Sequence, residues 1–122
     1  GDLLFSWSGS IGLSIWDKGE AILNQHLFNV IPKGDFTKGF LYFALKSKLR
    51  YFKQIAGSKA TTMGHIKKEH LEEQIINIPT DLDLLIFNTI YKKLVQLKLE
   101  NQKLAEMRDL LLPKLMKGEI RV

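Results

Sequence analysis

Cysteine is absent from the 122-residue chain. That removes disulfides, cysteine-ligated zinc and thiol catalysis at once, and it fits a reducing compartment. No uncharged apolar run reaches the roughly 18 residues that a membrane span needs. No secretory signal is visible, so the expected location is the cytoplasm. The chain opens on Gly1 rather than Met, as a fragment or a processed chain does. What is present is ordinary globular material, 45% apolar and 25% charged. It suffices for one domain, or a small domain plus an appendage, with a core that needs no staple.

Positive charge is lacking at the start of the chain and concentrated in its middle. Residues 1–32 carry one Lys against three acids, a net charge of −2. Residues 33–68 carry nine Lys or Arg against Asp35 alone, a net charge of +8. Residues 69–122 return to −1. One window therefore holds the whole excess. It reads either as a surface for a polyanion or as a solvated, Lys-rich face.

The opening third reads as β. Leu3, Phe5 and Trp7 alternate with Asp2, Leu4 and Ser6, and Ile11, Leu13 and Ile15 alternate with Gly12, Ser14 and Trp16. Ser8-Gly9-Ser10 between them predicts a hairpin. A third strand is expected over Leu27 to Ile31, stopped by Pro32. Asp35 or Thr37 then caps a helix from about Lys38 to Gly57. Leu41, Leu45, Leu49, Phe52 and Ala56 form its apolar face, with a break conceivable near Leu49. Lys46, Arg50 and Lys53 recur on another face as a basic ridge. A short helix around Lys67 to Glu73 and a strand at Gln74 to Ile78 follow.

The last segment predicts a helix capped by Thr80 or Asp81, running to about Leu112 and broken or kinked by Pro113. Phe87, Ile90, Leu94, Leu97, Asn101, Leu104, Arg108 and Leu111 follow a heptad seam. About 31 residues make a rod of about 46 Å. An 80-residue body has a radius of gyration of about 12 Å. Part of the seam must therefore meet another helix. Asn101 on that seam either fixes register or sits where the helices splay, and Arg108 snorkels outward. The fold class is α+β: a small β-rich domain with short helices over residues 1–80, then one long coiled-coil-type helix and tail over 81–122.

Catalytic chemistry is missing. His26, His65 and His70 lack the spacing of a helical metal pair, so no metal or other cofactor is expected. Glu69, Glu72 and Glu73 read as a solvated helix face. Ser8 and Ser10 lack a nucleophile-elbow context. The glycine-bounded stretch from Gly57 to Gly64 lacks the spacing of a phosphate-binding P-loop. Its neighbourhood nonetheless offers short donors and acceptors suited to base edges, namely Ser58, Lys59, Thr61, Thr62 and His65. Asn24, Gln25 and His26 form a second polar cluster. Each residue alone is also ordinary loop furniture.

Three stretches carry a resemblance: Gly1-Asp2-Leu3-Leu4-Phe5-Ser6, then Ser8-Gly9-Ser10-Ile11-Gly12, then Asn24-Gln25-His26-Leu27. With the loop from Gly57 to Ile66, and the end from Leu104 to Ile120, they resemble a target recognition domain of type I restriction–modification specificity subunits and its spacer helix. The resemblance implies sequence-specific binding of double-stranded DNA without catalysis. It implies partners that methylate adenine and cleave DNA, the modification and restriction subunits. Lys46, Arg50, Lys53 and Lys59 would hold phosphates, and Ser58, Thr61, Thr62 and His65 would approach bases. Phe87, Ile90, Leu94, Leu97, Asn101, Leu104 and Leu111 would meet a second long helix. In the isolated chain that helix is expected from a second copy, as an antiparallel homodimer. A parallel pair would set Lys93 of one copy near Lys98 of the other. The alternatives are a coiled-coil assembly module with an incidental basic face, and, more remotely, a piece of a nuclease or methyltransferase.

Overall fold

The computed structural model describes residues 1–58 and 64–119. Its centre is a three-stranded antiparallel sheet. Strand β1 (Leu3–Ser6) lies between β2 (Gly12–Ile15) and β3 (Leu27–Asn29). Leu3 faces Ile15 and Phe5 faces Leu13 across the hairpin, while Phe5 faces Phe28 on the other side. Leu3 and Phe5 are buried, as their alternation predicts. Leu4 is buried too, against that alternation. It lines an open cavity of about 830 Å³ together with Trp16, Leu23 and Leu27, so the segment after β2 covers the second face of the central strand. The third strand is shorter than expected and ends at Asn29.

Helix α1 (Lys38–Gly57) runs unbroken through Leu49. Thr37 rather than Asp35 caps it, its hydroxyl accepting the Phe40 N–H at 3.2 Å. The predicted apolar face meets the sheet. Phe52 is 1% exposed and sits edge-on to Phe5, with ring centres 5.8 Å apart. Ala56, Ile11 and Ile66 complete that cluster, with Leu45 and Leu49 against it.

Helix α2 (Lys68–Glu72) is one short turn. The strand expected at Gln74 to Ile78 does not form. Ile75 and Ile78 are 85% and 91% exposed, and the stretch is irregular. β-branched residues favour a strand only where a sheet edge accepts their backbone, and here the Gln74 N–H is drawn back to the Leu71 carbonyl at 3.2 Å.

Helix α3 (Asp81–Met116) is capped by Thr80, whose hydroxyl accepts the Asp83 N–H while the Asp83 carboxylate accepts the Thr80 N–H. The Thr80 N–H and hydroxyl, both donating to the Asp83 carboxylate, hold that carboxyl below its ordinary pKa. Contrary to expectation, the helix continues through Pro113. The proline lies in the final turn, where it removes few helical hydrogen bonds, and the surrounding residues are exposed. The Lys117 N–H then bonds the Pro113 carbonyl at 3.1 Å.

The first half of α3 belongs to the body. Tyr91 is buried in a second cluster with Leu3 and Ile15, flanked by Leu41, Tyr42, Leu94 and Val95. Its hydroxyl donates to the Gly1 carbonyl at 3.2 Å, and burial pushes the phenol up to about 12. Where α1 crosses α3, Gly39 is obligatory. A β-carbon there would lie 2.3 Å from the Phe87 carbonyl oxygen.

Candidate nucleic-acid interface

The ridge on α1 exists as read. Lys46, Arg50 and Lys53 are exposed on one flank of the helix, away from the buried Phe52 and Ala56. Among the described residues none of the three forms an ion pair with a carboxylate; the bridges that form are Lys38–Asp2, Lys68–Glu72 and Arg108–Asp109. The Lys46 ammonium lies 5.4 Å from the centre of the Tyr42 ring, which steadies the side chain without neutralising it. Unpaired cations along one helix flank suit an anionic backbone.

The glycine-bounded loop is anchored at both ends. Ser58 closes α1 and its hydroxyl donates to the Ile55 carbonyl at 2.8 Å. Gly64 returns against the same turn, so closely that a β-carbon would lie 2.2 Å from the Ala56 carbonyl oxygen. Only glycine permits that approach. Lys59, Thr61 and Thr62 lie outside the described residues. Beyond them, the Gly9 N–H donates to the Gly64 carbonyl at 3.0 Å and His65 bridges to Ser8. The hairpin turn and the loop therefore share one end of the molecule.

The second polar cluster arrives at the same place. Asn24 accepts the His26 N–H on its side-chain oxygen at 2.9 Å, and the Leu27 N–H on its carbonyl at 3.0 Å, closing a tight turn. Trp7, just past β1, ties this turn to the loop. Its main-chain N–H reaches the His26 carbonyl at 3.2 Å, and its carbonyl accepts the Ile66 N–H at 2.8 Å. The indole N–H donates to the Gln25 carbonyl at 3.2 Å. The indole ring lies against His26, Phe28 and His65, at 5.9, 5.9 and 6.4 Å between centres. The His26 Nδ1 is buried with no hydrogen-bond partner among the described residues. Pattern reading took Trp7 as an inward strand residue only. The available signal was chemical: an indole that is partly buried needs an acceptor for its N–H.

The seam on α3 divides. Phe87 is half-buried against Phe40 and Phe43, and Leu94 joins the Tyr91 cluster, so the chain's own body covers both. Ile90, Leu97, Leu104 and Leu111 are 44%, 43%, 61% and 41% exposed, and Asn101 is exposed. Arg108 pairs with the adjacent Asp109 in solvent.

Among the described residues no group of acids and histidines could hold a metal ion, and no helix is long and apolar enough to cross a membrane.

Residues 1–108 match the family model described as the type I restriction modification DNA specificity domain. The chain is 32% identical over 117 residues to the type I restriction enzyme HindI specificity subunit of Haemophilus influenzae, covering 91% of this chain and 25% of that protein. It is 38% identical over 87 residues to the type I restriction enzyme MjaIX specificity subunit of Methanocaldococcus jannaschii, covering 68% of this chain and 20% of that protein. The chain thus spans a quarter or less of the length of these relatives. No solved structure matches it. With nearly nine-tenths of its residues inside one family model, the chain belongs to the type I restriction modification DNA specificity domain family.

Proposed function

We propose that this chain is a non-catalytic DNA-recognition portion of a type I restriction–modification specificity subunit, working in the cytoplasm. Residues 1–80 would form part of a target recognition domain, and residues 81–122 the spacer helix and tail. The observation that carries the reading is the unneutralised ridge of Lys46, Arg50 and Lys53 on α1. That helix ends where the polar turns gather around Trp7. The ridge, with Lys59, would hold phosphates, while Ser58, Thr61, Thr62 and His65 would approach base edges. Methylation and cleavage of DNA would fall to the modification and restriction subunits. The relatives' printed names, specificity subunits of type I restriction enzymes, support this division of labour.

The exposed stripe of Leu97, Leu104 and Leu111 would take a second long helix, supplied in the isolated chain by a second copy. Sedimentation at several concentrations tests that pairing. A monomer at about 100 μM, well above the Kd of a stable dimer, argues against it.

Titration of duplex DNA at several salt concentrations tests the main reading. Replacing any one of Lys46, Arg50, Lys53 or Lys59 by Ala should weaken binding across all sequences and flatten the salt slope by about one unit. Unchanged slopes in all four variants would remove the phosphate role. Salt-independent or absent DNA binding would leave an assembly helix with an incidental basic flank.

A further inference from the structure

Two polar segments far apart in sequence, Asn24 to His26 and Gly64 to Ile66, meet on one side chain. The first is a closed turn held by the Asn24 side chain. The second is clamped between the Ala56 carbonyl and the hairpin turn. Trp7 fixes how they stand relative to each other. Its indole N–H holds the Gln25 carbonyl, its backbone carbonyl holds the Ile66 N–H, and its ring contacts both histidines. Phe28 stacks on the same ring at an interplanar angle of 19°, which limits the indole's freedom to rotate. Gln25 is exposed at the crest of its turn, and His65 is half-buried at the root of the loop.

We infer that Trp7 is the positioning residue that makes the Gln25 turn and the His65 segment a single reading unit for base pairs. This rests on the proposed DNA reading. Base discrimination requires donors and acceptors held within a fraction of an ångström of register with base edges. Phosphate contacts tolerate looser placement. Trp7 therefore acts on discrimination and not on the electrostatic part of affinity.

The test uses the protein at its natural length, with randomised duplexes to find its preferred sequence. Three quantities are read: the affinity ratio between the preferred duplex and single-base variants, the salt slope, and the thermal midpoint. Trp7→Leu should lower the ratio about tenfold with the salt slope unchanged. Trp7→Phe keeps the ring but loses the N–H, and should recover part of the ratio. A second measurement leaves the indole in place. Gln25→Ala and His65→Ala, singly and together, should be non-additive in the ratio by about threefold or more. This cycle decides the matter if Trp7→Leu fails to fold. Additive effects of Gln25 and His65, or an unchanged ratio in Trp7→Phe and Trp7→Leu, would overturn the inference while leaving the DNA reading intact. A wild-type protein without sequence preference would overturn both.

Discussion

The two halves of α3 carry the same kind of apolar spacing and meet opposite fates. Phe87, Tyr91, Leu94 and Val95 pack into the body against β1, β2 and α1. Leu97, Leu104 and Leu111 continue the pattern into solvent. Periodicity specifies that a helix has an apolar face. It does not specify what covers that face. The difference is one of reach. At 1.5 Å per residue, 36 residues extend about 54 Å, several times the radius of a body this size. The near half reaches the sheet, and the far half extends beyond it with its apolar residues exposed.

The largest expected effect separates the body of the molecule from the far half of α3 by stability. Phe52→Ala empties a fully buried site against Phe5 and should cost about 3–5 kcal/mol, read by chemical denaturation. Leu104→Ala on the exposed half should change the stability of the monomer by less than about 0.5 kcal/mol. Under the proposed pairing, its effect should fall on the association constant measured by sedimentation. A large loss of monomer stability on Leu104→Ala would show that the far half has a partner within its own chain.

A smaller effect probes the crossing that joins α3 to the body. Gly39→Ala sets a β-carbon against backbone atoms of Phe87 and Asn88, which cannot yield as a flexible side chain would. The helices must separate, at about 1–3 kcal/mol. Gly57→Ala, with open space around its β-carbon, is the control. Equal costs for the two would refute a tight crossing.

Tyr91→Phe should cost about 0.5–1.5 kcal/mol through the lost bond to the Gly1 carbonyl. It should also change the alkaline profile. Burial raises the phenol from 10.0 to about 12, so the folded state favours its neutral form. That contribution is complete below the unfolded value near 10. It is lost as pH rises toward 12. Wild-type stability should fall across that window more steeply than that of the Tyr91→Phe variant. Parallel curves would mean that the phenol is not buried.

The smallest expected effect on stability falls on the ridge. Lys46→Ala, Arg50→Ala and Lys53→Ala should each stay within about 0.5 kcal/mol of wild type in thermal melts. A larger loss would recast the ridge as part of the packing.

Legibility followed the range of the interactions. The hairpin and the starts of α1 and α3 rest on contacts within a few residues and are readable, although the choice of Thr37 over Asp35 and of Thr80 over Asp81 as cap is the structure's. The Gln74 to Ile78 strand was misread because its residues suit a strand while no edge was offered to them. The break expected at Pro113 does not occur, because the position of the proline relative to the helix end decides its cost. The ridge was legible as three cations at helical spacing. Trp7 was not legible as a hub, because its partners come from segments distant in the chain.

By itself the sequence determined the α+β class, the absence of cysteine chemistry, the concentration of positive charge in residues 33–68 and the amphipathic long helix. These follow from composition and from periodicities of two and 3.6, which act over one or two turns. The tertiary structure alone decided that Leu4 is buried, that Tyr91 anchors α3, and that the seam divides between body and solvent. It alone brought Asn24 to His26 together with His65 on the indole of Trp7. Those outcomes depend on which distant surfaces can close on one another, and excluded volume and hydrogen-bond satisfaction settle that only when the whole chain is in place.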